Sequence, residues 1–241
     1  MKNMNIEFFK DNLNELELKL KDTQIELFIS YYKILIEWNK VMNLTGITKF
    51  EDVIMKHFID SLSIVKVLDL ESIESIIDIG TGAGFPGIPL KIVYPDINIV
   101  LLDSLNKRIK FLYEVISSLG LKYIMCIHGR AEDFSKKEEY REKFDLCVSR
   151  AVANLSSLAE YCVPYVKKDG IFISYKSGKL EEELMESKKA IHVLGGKIEN
   201  EVKFFLPNTD IERSLVVIRK VKDTPDVYPR KAGIPSKEPI K

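Results

Sequence analysis

Cysteine is scarce. The 241-residue chain has three, Cys126, Cys147 and Cys162, with no two close in sequence and no CxxC pair. That excludes a disulfide framework and fits a reducing compartment. The three histidines, His57, His128 and His192, are scattered, so no metal site is expected. No apolar run reaches the ~18 residues of a membrane span. The N-terminus is charged throughout and lacks a signal-peptide core. The expected protein is soluble and cytoplasmic, without a membrane partner. Net charge is missing too: 36 Lys and Arg balance 36 Asp and Glu. Bulk charge therefore gives no sign of a nucleic-acid partner, and any basic face has to be local. What remains is globular, with 46% hydrophobic residues, enough to bury a core.

Residues 1–70 read as a helical extension. Ile25, Phe28, Ile29, Tyr32, Leu35 and Ile36 recur at offsets of three and four, which makes one face of a helix over 24–42. Asn43-Leu44-Thr45-Gly46 breaks it, and a second helix is expected over 50–68. From residue 71 the pattern changes. Strands are expected at 76–79, 99–102, 123–127, 144–148, 171–174, 203–206 and 214–218, and helices at 88–93, 106–119, 155–166 and 180–194. This alternation predicts an α/β fold with a mostly parallel, doubly wound sheet. Seven strands, the last two without an intervening helix, fit the Rossmann-like class I methyltransferase sheet, in which one strand runs antiparallel. The methyltransferase domain is expected over 71–221. Residues 222–241 carry Pro225, Pro229, Pro235 and Pro239 among several lysines. Such a tail reads as an extended or disordered arm with no helix.

The most informative stretch is Asp78-Ile79-Gly80-Thr81-Gly82-Ala83-Gly84-Phe85-Pro86-Gly87. Its glycines let the backbone turn sharply after a strand and approach a ligand, and the next helix opens with free N–H groups facing the turn. The spacing Gly82-x-Gly84-x-x-Gly87 also satisfies the dinucleotide pattern. Asp78 and Asp103 together favour S-adenosylmethionine. The Asp78 carboxylate is expected near the cofactor's ammonium, where it would repel a diphosphate. Asp103, closing the next strand, is expected to accept from the ribose hydroxyls. Its alternative is a cap for the following helix. The loop His128-Gly129-Arg130-Ala131-Glu132-Asp133 would flank the adenine, with a polar loop as the plain alternative. Ser149-Arg150 closes the fourth strand, facing the transferred methyl, and both are candidates for positioning.

Two further absences narrow the chemistry. No Asn/Asp-Pro-Pro-aromatic element follows the fourth strand, where an exocyclic-amine methyltransferase carries one. No cysteine follows proline or threonine, as a cytosine-C5 enzyme needs. Nucleophiles that need little activation remain, guanine N7 among them, and placement is then the main requirement. No general base is assigned. A hydroxyl, a carboxylate or a small-molecule amine stays open, as does a non-catalytic nucleotide binder.

The ordered motifs nevertheless resemble one family. They include Asn43-Leu44-Thr45, His57-Phe58-Ile59-Asp60-Ser61, the Asp78 to Gly87 block, Leu101-Leu102-Asp103-Ser104 with Lys107-Arg108, and Arg130-Ala131-Glu132. Ser149-Arg150-Ala151, Lys176-x-Gly178, Arg213 to Val217 and Tyr228-Pro229-Arg230-Lys231 complete the set. The chain resembles the GidB (RsmG) family of bacterial 16S ribosomal RNA guanine-N7 methyltransferases, and its ending looks like the Gram-positive branch. The resemblance implies that Gly80, Gly82, Phe85, Ala131, Glu132 and Arg150 contact S-adenosylmethionine, with Asp103 at its ribose. It makes His57, Asp60, Ser61, Lys107, Arg108, Lys176 and Arg213 candidates for binding RNA. The implied partner is 16S ribosomal RNA or the small-subunit particle, methylated at a guanine of the 530-loop region. A monomer that needs no metal is expected.

Overall fold

In the computed structural model residues 5–150, 153–177 and 180–241 are described. Ala151 and Gly178, named in the motifs above, lie outside them. The fold is built on strands that hide both faces. β1 (Ser75–Ile79) directs Ile76 and Asp78 to one side and Ile77 and Ile79 to the other, all buried. Such period-two alternation with both faces apolar belongs to the middle of a covered sheet. β1 pairs in parallel with β2 (Asn98–Asp103) and with β4 (Phe144–Ser149). β3 (Ile124–His128) adds outside β2, and β5 (Val166–Lys176) outside β4. β7 (Glu212–Lys220) lies antiparallel between β5 and β6 (Gly196–Phe205). The order is β3-β2-β1-β4-β5-β7-β6, so the seven-stranded, mostly parallel expectation holds. The chain runs outward from β1 through β3 and returns to β4 on β1's other side. That reversal opens a crevice at the carboxyl ends of β1 and β4, where ligands bind in open α/β sheets.

Two cores follow from the alternation. Ile76, Leu101, Leu146 and Ile173 face α5 (Gly87–Val93), α6 (Asn106–Ser118) and the N-terminal helices. Ile77, Leu102, Cys147 and Phe172 face α7 (Ala131–Phe134), α8 (Leu155–Cys162) and α9 (Glu181–Val193). The N-terminal part contributes α1 (Ile6–Asn14) and α2 (Asp22–Met42). Phe9, Phe28 and Phe58 pack with ring centroids 4.9–6.2 Å apart. Among the described residues no helix is long and apolar enough to cross a membrane.

β5 and β6 run longer than expected, and three helical elements differ. The helix expected over 50–68 is divided into α3 (Phe50–Val53), a π-helical segment Ile54–Ile59, α4 (Asp60–Leu62) and a 3-10 turn Ser63–Lys66. The helix expected over 155–166 stops at Cys162, because Pro164 and its neighbours form a 3-10 turn before β5. The tail is not a free arm. It forms α10 (Ile234–Lys237), with Pro235 in the first turn, where its missing N–H costs nothing.

Candidate active site

The glycine-rich turn sits where β1 ends. Gly82 has φ of 63°, and its N–H donates to Asp103 Oδ2 at 2.9 Å. Gly84, with φ of 94°, has no room for a side chain: a Cβ there would lie 2.4 Å from Ile88 Cδ1 and 2.8 Å from the Tyr31 hydroxyl. Tyr31 is fully buried in α2 and donates its hydroxyl to the Ala83 carbonyl. The N-terminal extension thus braces the turn from below.

A cleft of about 570 Å³ opens above it, within the range typical of small-molecule sites. Its floor is Ile79, Gly80 and Gly82, and its flank is Asp103. Asp103 is 1% exposed and faces the cleft as expected, already held by protein donors. Oδ1 accepts from Leu105 N at 2.9 Å, and Oδ2 accepts from Arg108 Nη1 at 3.1 Å as well as from Gly82 N. The capping alternative is not realised: Leu105 holds the N-cap position of α6 without a side-chain cap, and the Asp103 carboxylate instead accepts from the Leu105 N–H in the turn ahead of the helix.

Asp78 is a correction. It was expected to face the cofactor's ammonium, but it lies under the turn and is not among the residues lining the cleft. Its Oδ2 accepts from Thr81 Oγ1 at 2.7 Å and Gly87 N at 2.9 Å, and the buried Oδ1 has no partner among the described residues. Burial pushes its carboxyl up to about 7, against the pull of those hydrogen bonds. The acid ties the turn to the start of α5. Ser149 is likewise structural: fully buried, it donates to the Ile79 carbonyl at 2.7 Å and ties β4 to β1.

Phe85 forms the opposite wall. His57 stacks on it with centroids 4.5 Å apart and planes 15° from parallel, and the Arg150 guanidinium lies 5.3 Å from the same ring. Arg150 is the hub. Nη1 donates to the carbonyls of Lys56 and His57 at 3.2 and 3.4 Å and to Asp60 Oδ2 at 3.1 Å, and Nη2 donates to His57 Nδ1 at 3.2 Å. The π-helical turn turns those carbonyls toward the arginine, which matches the association of such turns with functional sites. Because Nδ1 accepts, the neutral His57 ring carries its proton on Nε2 and shares it with Thr45 Oγ1 at 2.9 Å. Burial, then the Arg150 charge, pushes His57 down to about 3. Asp60 continues the chain, with Oδ1 accepting from Arg213 Nε at 3.1 Å.

At the far end, Ala131 and Glu132 line the cleft. Glu132 is 5% exposed, and its Oε1 accepts from Gly233 N of the tail at 2.9 Å. Gly233 and Ser236 of the tail, and Tyr161 of α8, line the same end. Sequence reasoning missed all three.

The residues proposed for RNA separate into four groups. Asp60, Lys176 and Arg213 line a second cleft of about 710 Å³, together with Lys56, Tyr175 and Glu183. Arg150 and Ala153 line both clefts. Lys176 Nζ is bound to Glu183 and to the Ala153 carbonyl, each at 2.6 Å. His57 and Arg108 instead line the first cleft. Ser61 is fully buried, donating to the His57 carbonyl and accepting at its own carbonyl from Tyr175, so it presents nothing to a polymer. Lys107 is exposed on α6. All three cysteines are buried thiols, and burial pushes Cys126 up to about 12. None is poised as a nucleophile.

This donor set fits S-adenosylmethionine. A buried carboxylate lines the cleft as a hydrogen-bond acceptor, a turn without side chains gives close backbone approach, and Phe85 supplies an aromatic wall.

Comparison with known proteins agrees. The model of the GidB family, rRNA small subunit methyltransferase G, matches residues 24–216. Ribosomal RNA small subunit methyltransferase G of Lachnoclostridium phytofermentans is 57% identical, covering 96% of each chain. That of Desulforamulus reducens is 56% identical, again over 96% of each. Among solved structures, the Methanococcus jannaschii fibrillarin pre-rRNA processing protein aligns with a TM-score of 0.52 at 18% identity, covering 66% of this chain and 73% of its own. A chain from the complex of the Haloferax volcanii Trm112 methyltransferase activator with a methyltransferase reaches 0.58 at 12% identity, over 78% and 98%. These two share the fold alone. With a family model spanning most of its length and relatives above half identity, the chain belongs to the GidB family of small-subunit rRNA methyltransferases.

Proposed function

We propose that this chain transfers a methyl group from S-adenosylmethionine to N7 of a guanine in the 530-loop region of 16S ribosomal RNA. It acts as a cytoplasmic monomer on the RNA or the small-subunit particle. The observation that carries this reading is Arg150, which forms a wall of both clefts. The bound cofactor supplies an electrophilic methyl on its sulfonium. Asp103 accepts from the ribose hydroxyls, the Gly80 to Gly82 backbone admits the methionine end, and Ala131 with Glu132 reads the adenine edge. Phe85 and Arg150, together on the cleft wall, would line the methyl end of the bound cofactor.

The guanine enters the second cleft after leaving its stack, as bases do for enzymes that modify them. Arg150, Lys176 and Arg213 can donate to O6, and Asp60 can accept from the N1 and N2 side. N7 holds a free lone pair at neutral pH, so no proton has to be removed before attack. The neutral His57 ring and the hydrogen bonds around it keep Arg150 in place and take no proton. Catalysis then comes from in-line placement and from carboxylates facing the charge that develops on the base. Lys107 and the exposed Lys110 of α6 are placed to meet phosphates, a contact that weakens with salt.

The test is mass spectrometry of small-subunit rRNA from a strain lacking the gene, complemented with the wild-type or the Arg150→Ala chain. N7-methylguanine should be lost without the gene, return with the wild type and stay low with the variant. Unchanged N7-methylguanine in the deletion strain defeats the proposal.

A further inference from the structure

The tail closes the end of the cofactor cleft at three anchored points. At its base, Arg141 Nη2 donates to the Thr224 carbonyl at 2.7 Å and Nη1 to the Tyr228 carbonyl at 3.0 Å. In the middle, Arg230 makes a forked pair with Glu160 of α8. Nη2 lies 2.7 Å from Oε2, Nε lies 3.0 Å from Oε1, and the Arg230 backbone N–H adds a bond of 2.7 Å to Oε1. Glu160 is fully buried. A buried carboxylate without a partner is strongly unfavourable, so this pair fixes the path of the tail and does not merely decorate the surface. At the tip, Ser157 Oγ donates to the Pro235 carbonyl at 2.7 Å. Between the last two anchors, Gly233 takes φ of 86° and directs its N–H onto Glu132 Oε1. Gly233 and Ser236 thereby face the cleft opposite Arg130 and Ala131.

From this geometry we infer that residues 228–238 are an integral wall of the cofactor site, enclosing the adenosine end and holding Glu132 in its reading position. The inference rests on the cofactor reading above. Its ligand class is an adenine nucleoside without a phosphate at that end, because the wall closes on the carboxylate of Glu132. By holding Glu132 before the ligand arrives, the tail removes an ordering penalty from binding.

The test measures binding of S-adenosylhomocysteine and of adenosine by calorimetry, with melting curves as the control for folding. Three chains are compared: the full chain, one ending at Asp226, and Ser236→Trp. Ser236 is exposed on the cleft side of α10, so the indole reaches into the cleft without entering the core. Both altered chains should bind each ligand about tenfold more weakly or worse, because adenosine carries the enclosed end. In the full chain, S-adenosylhomocysteine should also slow trypsin cleavage after Arg230 and Lys231. If both altered chains melt as folded proteins and bind within about twofold of the full chain, the inference is overturned and the cofactor reading stands. If the shortened chain does not fold, Ser236→Trp decides alone. If the full chain binds neither ligand, the cofactor reading fails and takes this inference with it.

Discussion

Asp103→Asn is the most demanding test of the cofactor geometry, because it preserves shape and removes one acceptor. In the wild type, Oδ2 accepts from Gly82 N at 2.9 Å, and Oδ1 accepts from Leu105 N at 2.9 Å. An asparagine has one oxygen and one NH2 group. Whichever way the amide is turned, its NH2 faces a backbone N–H at that distance. A buried donor left without a partner costs about 1–3 kcal/mol. For a chain of this size each kcal/mol lowers Tm by ~2–4 °C, so melting should fall by about 2–12 °C. The cofactor loses more directly, because a hydrogen bond to a charged acceptor contributes about 1.5–3 kcal/mol and a neutral one about 0.5–1.5. With two ribose hydroxyls involved, S-adenosylhomocysteine affinity should fall by about 10- to 100-fold. The Arg108 guanidinium also loses its counter-charge, which adds to the loss in Tm. Calorimetry and differential scanning on the two proteins give both numbers. An affinity within about twofold of wild type, together with an unchanged Tm, would refute the assignment of this carboxylate to the ribose and to the turn.

Gly87→Ala would place a Cβ 2.3 Å from Leu101 Cδ2 and 2.9 Å from Asp78 Oδ2. It should destabilise the chain by about 1–3 kcal/mol, read as a lower urea midpoint at constant slope. Arg150→Lys keeps the charge but loses the planar fork that binds Asp60, two carbonyls and His57. Turnover on rRNA should drop at least ~10-fold with S-adenosylhomocysteine affinity changed less, and equal losses in both would count against a placement role. The pH dependence of stability has two opposed parts. Asp78 titrates near 7 in the folded chain against 3.8 when unfolded, so the folded state holds an extra proton between those values. Its stabilisation is complete below about 4 and is lost as pH rises through 7. His57 titrates near 3 against 6.5, so the unfolded state takes the extra proton and stability falls as pH drops below 6.5. Asp78→Asn should therefore leave the His57 slope unopposed by Asp78, with stability rising from about pH 3 to 6.5. Urea midpoints that run parallel to wild type across that range would contradict the assignment.

The sheet was legible because its strands are apolar on both faces and its turn is marked by glycine. β6 was shortened in the sequence reading because it is an edge strand whose Lys197, Glu199 and Asn200 face water, which erases the apolar run. The π-helical segment was invisible because one extra residue in a turn leaves the apolar pattern almost unchanged. Asp78 was misplaced for a reason the sequence did contain. Side chains alternate along β1, so Asp78 shares the face of Ile76, toward α5, and not that of Ile79. Ser61 and Ser149 were read as functional because they sit inside motifs, yet both are buried and tie one element to another. The tail's place was signalled by Glu160, the one charged residue of the buried helix α8. A fully buried acid needs a cation, and Arg230 in the supposedly free arm was one.

The charge balance of the second cleft bears on the direction of the reaction. Methyl transfer to N7 moves a positive charge from the sulfonium to the guanine. Asp103 and Glu132 line the first cleft, but Arg108 and Gly233 already bind them. The second cleft is lined by Asp60, Glu182, Glu183 and Glu186 against Lys56, Arg150, Lys176 and Arg213. Several of these charges are already paired: Asp60 with Arg150 and Arg213, Glu183 with Lys176, and Lys56 with Asp52. A cleft neutralised in this way offers little attraction to phosphate, so the backbone of the RNA has to be held elsewhere, on surfaces such as that of Lys107 and Lys110. It does offer carboxylates at short range to a base that becomes cationic only as the methyl arrives. The attraction is then stronger in the transition state than in the ground state, the condition under which binding energy raises turnover. Removing one of these acids without unfolding the cleft, as Glu186→Gln would, should lower turnover more than it raises KM for RNA. Removing Lys107 should raise KM and leave turnover nearly intact.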